Sequence, residues 1–181
     1  MSLALSTILI GNAVSLAGEV CGIISGVHKT KTLYWHTARL IVSGISNVIL
    51  GSWLAFWLNV TGAGRNILTY KVGLSTTSRV VIALVTLAGS LFFFTNDEHS
   101  PQFITEVFTT IACIIYTLLM TSDDVRLKWL TIGTTLPWLL YGWFLQNYVA
   151  SIFAAITVIS CFIGIWRIHF HKVNFKPNLN F

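Results

Sequence analysis

Four ionisable side chains stand inside long apolar runs: Glu19, Arg39, Arg65 and Glu106. A charge in hydrocarbon costs at least about 2.5 kcal/mol, so each needs a partner or a water-filled cavity. Counted at about 1.5 Å per residue, Glu19, Arg39 and Arg65 each lie roughly 9–12 Å from the Lys/Arg-marked end of their run. Three ionisable groups at one level on three successive runs can form a charged vestibule. The bland alternative for the two arginines is that their long stems carry the guanidinium out to lipid phosphates. Glu19 is too short for that. Its need for a basic partner, Arg39 or Arg65, is therefore the firmer expectation. Glu106 lies near the opposite end of its run and reads either as an interfacial acid or as a proton-accepting gate.

Uncharged polar residues add to this set. Asn12, Asn47 and Asn59 fall within the first three runs, with Asn59 near the centre of the third. Such a residue hydrogen-bonds across helices or touches a solute. Trp57 and Trp138 lie deep, where an aromatic pair facing a cavity would suit a ring-shaped or sugar-like solute; packing against lipid is the competing reading. Gly18, Gly22 and Gly26 recur every four residues and let a neighbouring helix approach closely. Packing within the bundle explains them more simply than dimerisation, although a homo-oligomer stays open.

Chemistry of other kinds is not signalled. Neither a nucleophile elbow, an HExxH, nor a Walker loop occurs, and Asp123-Asp124 followed by Arg126 and Lys128 reads as a solvated link. An enzyme is not expected. Cys21, Cys113 and Cys161 form no CxxC pair and read as packed apolar residues, so neither a disulfide framework nor a zinc site is expected. His169 and His171 alone are a weak metal signal. No metal or cofactor is expected.

The elements that must position these residues follow from hydropathy. The chain has 181 residues, 55% hydrophobic and only 9% charged, against about 25% charged in a soluble domain. Apolar runs at 4–27, 33–50, 53–71, 78–96, 103–121, 127–143 and 147–167 are each long enough to cross a bilayer as a helix. With seven spans, all eleven Lys and Arg residues fall on one side. The other side receives Asp97, Glu98 and His99. Short loops rich in Lys and Arg stay in the cytoplasm, so the N-terminus is expected outside and the C-terminus inside. The net charge of +5 is spread over short loops, which suits anionic headgroups and not nucleic acid. The tail from 169 to 181, with Lys172 and Lys176, reads as a strip on the same headgroups. A membrane is the expected location, with the lipid bilayer and an unknown small solute as partners.

The runs fall into a three, one, three arrangement: residues 1–72, a linker helix within 73–100, and residues 101–168. Each group has a helix, a basic link, a helix, a tight outer turn and a helix. Val48-Ile49-Leu50-Gly51-Ser52-Trp53 is matched in letters by Leu139-Leu140-Tyr141-Gly142-Trp143-Phe144. Two copies separated by one helix point the same way, which makes them parallel repeats with a substrate site expected between them.

Distinctive residues stand along the chain: Gly11, Gly18, Lys29–Lys31, Leu50-Gly51, Ala55, Asn59, Arg65-Asn66, Trp138-Leu139-Leu140-Tyr141, Ser151 and Gly164-Ile165-Trp166-Arg167. On these features the chain resembles bacterial inner-membrane proteins of the YgjV type, within the SWEET, SemiSWEET and PQ-loop group, which implies a bacterial cytoplasmic membrane. The resemblance implies a SWEET-like all-α fold and movement of small solutes, without naming one. The chain departs from the wider group in three ways, the first being that Asn147 and Ala154 stand early in its last run, where members often carry a small residue and an acid. Its Pro101-Gln102 sits on the outer face, and only Pro137 lies inside a span. The expected function is a small-solute transporter or facilitator with its path between the repeats. The competing class is a non-transporting scaffold, receptor-like or accessory, that binds a partner protein. An open cavity at mid-depth would favour the first, a filled one the second.

Overall fold

The computed structural model describes residues 4–28, 31–94, 101–121 and 123–170. Among these there are seven helices and no strand: α1 (Leu5–Val27), α2 (Thr32–Ile49), α3 (Trp53–Val72), α4 (Thr76–Phe93), α5 (Pro101–Leu118), α6 (Asp124–Phe144) and α7 (Tyr148–Phe170). Asp97, Glu98, His99, Lys29, Ser122 and the tail from His171 onward lie outside the described residues.

Three helices, α1, α4 and α7, are long and apolar enough to cross a membrane by themselves. Helices α2, α3 and α6 fall short of that mark because they carry polar residues, and those residues point inward. Asn47, Asn59, Arg65, Asn66, Lys128, Thr131 and Thr135 are all buried. Large apolar side chains such as Leu9, Ile45, Leu84, Phe92, Leu136 and Ile159 are exposed instead. This inverts the soluble pattern of apolar core and polar surface and suits a chain whose outer solvent is lipid.

Neighbours in sequence are neighbours in space. Helix α1 packs on α2 and α7, α2 on α3, α5 on α6, and α6 on α7. Helix α4 fills the gap between α3 and α5, which also touch, and α2 meets α6 across the middle. The result is a ring of helices around a central seam. Glycines on α1 set its spacing: a side chain at Gly18 would meet Ser43 and the α2 backbone, and one at Gly26 would collide with Ser160 of α7. The glycine face is thus used within the chain.

Two tight turns join α2 to α3 and α6 to α7, and their backbones match bond for bond. In the first, the N–H groups of Leu50, Gly51 and Ser52 donate to the carbonyls of Ser46, Val48 and Asn47. In the second, those of Leu145, Gln146 and Asn147 donate to Tyr141, Trp143 and Gly142. Gly51 and Gln146 both take a left-handed backbone, with φ of 76° and 57°. Gly51 therefore corresponds to Gln146. The turns thus fall at Gly51-Ser52 and Gln146-Asn147, and the letter match of Gly51 with Gly142 is not the match of their hydrogen bonds. Each helix that follows is capped alike, by Ser52 accepting from the Ala55 N–H and by Asn147 accepting from the Ala150 N–H. Such caps satisfy backbone donors that the first helical turn leaves orphaned.

Candidate functional site

Helix packing leaves a cavity between α1–α3 and α5–α7. Glu19 lines it from α1; His36, Arg39, Ser43 and Asn47 from α2; Asn59 and Arg65 from α3; Cys113 and Tyr116 from α5; Thr134, Thr135 and Trp138 from α6; and Ala154 from α7. Small residues make the room, with Gly62, Gly142, Ala150 and Ala154 on its walls. With its mouth counted, the empty space is about 800 Å³, an upper bound that restricts any occupant to a small molecule.

Glu19 meets Arg39. The Arg39 Nη2 lies 2.9 Å from the Glu19 Oε2, and both Nε and Nη2 donate to Oε1 at 3.3 and 3.1 Å. Gly22 makes this contact feasible, since a side chain there would strike the Arg39 stem. Arg39 is turned inward and does not run out to phosphates.

Arg65 is held by neutral groups. Its Nε and Nη2 donate to Asn66 Oδ1 at 3.1 and 3.0 Å, and its Nη1 donates to Thr117 Oγ1 at 2.9 Å. The guanidinium sits 4.3 Å from the centre of the Tyr116 ring, a cation–π contact. His36 stacks on Tyr116 with ring centres 5.8 Å apart. Arg65 and Arg39 therefore share one cavity, but only Arg39 has the carboxylate.

Asn47, Asn59 and Trp138 line the cavity as their depth suggests. Asn59 donates to its own helix, at Ala55 O, so it does not act as glue between helices. Two expected lining residues are elsewhere. Trp57 turns outward to α4, donating from Nε1 to Thr86 O at 3.2 Å. Its ring occupies the space that a side chain at Gly89 would need. Asn12 stitches α1 to the α6–α7 turn, donating to Gln146 O at 2.9 Å and accepting from the Val149 N–H at 2.9 Å. Both residues satisfy polar groups at helix contacts instead of facing the cavity. Glu106 is not a solvated interfacial acid: it is buried, accepts from Gln102 Nε2 at 3.1 Å and engages Tyr141. It lies off the cavity.

Lys128 does not sit in a solvated cytoplasmic link, where its sequence neighbours place it. It is fully buried. Its Nζ donates to Ser25 O at 3.3 Å, His28 O at 3.0 Å and Thr32 Oγ1 at 2.7 Å. A cation there completes carbonyls at the end of α1, where the helix dipole favours positive charge. It ties α6 to the α1–α2 corner. At the other end of the cavity the two groups are tied by Ser52 with Tyr141 (3.0 Å) and by Asn147 with Ser46 (3.4 Å).

The family model Imp-YgjV, described as a bacterial inner membrane protein, matches residues 9–172. No curated protein and no solved structure matches the chain.

Proposed function

We propose that this chain, which belongs to the Imp-YgjV family of bacterial inner membrane proteins, is a small-solute transporter or facilitator whose path runs between its two three-helix groups. One observation carries the reading: a cavity with charged and polar side chains among apolar walls, lined from both groups, with residues from α1, α2 and α3 facing others from α5, α6 and α7. A scaffold would have no use for buried arginines, asparagines and threonines around empty space, since each costs desolvation.

The two groups are parallel repeats in this reading, and all seven helices cross the membrane. The matching turns support it, as does the packing, in which α1·α7 and α3·α5 are counterpart contacts and α2·α6 lies between them. In the same reading the N-terminus is outside, which the placement of Lys and Arg supports. The helix-turn seams then close the outer end and Lys128 closes the inner end. Helix α6 has a natural bending point beside the cavity. Pro137 cannot donate to the carbonyl of Gly133, which weakens the ladder next to Thr134, Thr135 and Trp138. Opening one seam while the other holds would expose the cavity to one side at a time.

Thiol accessibility tests this directly. Cys113 lines the cavity, so it is kept as the sole cysteine, with Cys21 and Cys161 replaced by alanine. A second variant carries its only thiol at Ala83→Cys, a buried site on α4. A membrane-impermeant thiol reagent should modify Cys113 in proteoliposomes much faster than the α4 thiol. Equal resistance of both would count against a water-filled path.

A further inference from the structure

The cavity holds one cation more than it holds acids. Its charged lining residues are Glu19, Arg39 and Arg65, and Glu19 is committed to Arg39. Arg65 makes no ion pair among the described residues, although it is only 5% exposed. A buried cation without a counter-charge is costly. A guanidinium has five N–H groups, and the contacts to Asn66 and Thr117 use three of them. Two more polar atoms in the same lining, His36 Nδ1 and Ser43 Oγ, are buried without a partner. Around them the walls are apolar or aromatic: Leu40, Leu58, Trp138 and Ala154.

We propose that the cavity takes a small organic monoanion, with its carboxylate on the free N–H groups of Arg65 and its apolar body toward Leu58 and Trp138. The assignment rests on the transport reading of the same cavity. A planar guanidinium matches a carboxylate geometrically and supplies the charge the ligand needs. A single uncompensated cation fits a monoanion better than a phosphate dianion. The orphaned donors and acceptors on His36 and Ser43 explain how the bound group is oriented as well as charged, since a few fixed polar groups orient a ligand in an apolar pocket.

The test uses the purified full chain and measures its melting temperature with matched pairs of ligands. Lactate and benzoate are compared with lactamide and benzamide, which keep the shape and lose the charge; inorganic phosphate is the third arm. The carboxylates should raise the melting temperature by a few degrees at saturation, and the amides should not. Arg65→Gln should weaken carboxylate binding about tenfold or more, with Arg65→Lys retaining part of it. Should Arg65→Gln not fold, Ala154→Phe fills the cavity without touching the charge, and it too should abolish the shift. Equal effects of acids and amides, no shift with either acid, or a shift with phosphate alone would overturn the proposal. Carboxylate binding without uptake into proteoliposomes would retire the transport reading and leave the anion site. Uptake of neutral solutes that Arg65→Gln leaves intact would do the reverse.

Discussion

Ser52 Oγ and Tyr141 Oη lie 3.0 Å apart, one in each three-helix group, and the contact is repeated in mirrored form by Asn147 Nδ2 donating to Ser46 Oγ at 3.4 Å. Position 52 stands to 147 as 46 stands to 141, the same distance along the chain. Under the proposed repeat, one pair of positions is used twice, once from each side. Ser52 and Asn147 also serve their own turns, since each caps the helix that follows. Interhelical hydrogen bonds in membrane proteins average about 0.6 kcal/mol by double-mutant cycles. Ser52→Ala with Tyr141→Phe should show coupling of that size in thermal stability. Strictly additive losses would mean that the bond contributes nothing to holding the groups together.

Removing half of the Glu19–Arg39 pair should harm more than removing both. Glu19→Gln leaves a buried guanidinium uncompensated, and breaking a buried pair costs about 3–5 kcal/mol. The double variant Glu19→Gln/Arg39→Gln should be milder than the worse single variant, measured by denaturation in detergent. A double variant as unstable as the sum of its parts would contradict the pairing.

Gly164 marks a close crossing of α1 and α7. A side chain there would collide with the Gly26 carbonyl and crowd the Lys128 stem. Gly164→Ala should therefore destabilise by about 1–3 kcal/mol, the usual cost of overpacking. Gly64→Ala, where nothing lies within 4 Å, should be neutral or stabilising because alanine favours the helix. The reverse order in a thermal-shift comparison would refute this packing.

The membrane class, the meeting of Glu19, Arg39 and Arg65 at one cavity and the Glu19 partner were legible because hydrocarbon penalises unpaired charge so heavily. Asn59 and Trp138 followed from depth as well. What hydropathy could not supply was rotation about a helix axis. Trp57 and Asn59 are two residues apart and point to different neighbours, α4 and the cavity, yet both look like deep residues in one run. Lys128 was hidden for a related reason. Its burial depends on where the α1–α2 corner meets α6, and a basic residue at the edge of a run looks solvated in sequence. His36, between Trp35 and Thr37 near the end of a run, carries no mark that it stacks on Tyr116.

The proposed orientation predicts labelling from one side only. In a cysteine-free background, a thiol placed at Glu98 should react with an impermeant reagent in sealed cells, and one placed at Lys31 should not. Reaction at Lys31 would overturn the seven-span arrangement.

Passage of solute between the two helix groups is tested most directly by uptake, with the cargo left open. Proteoliposomes are incubated with the low-molecular-weight fraction of a bacterial extract, and their contents are read by mass spectrometry. At least one solute should accumulate with the unaltered chain. It should fail to enter when Ala154→Trp plugs the cavity or Asn59→Leu removes its central amide, both variants remaining folded. No entry of any solute, or entry that the folded plugged variant leaves unchanged, would contradict a path between the groups.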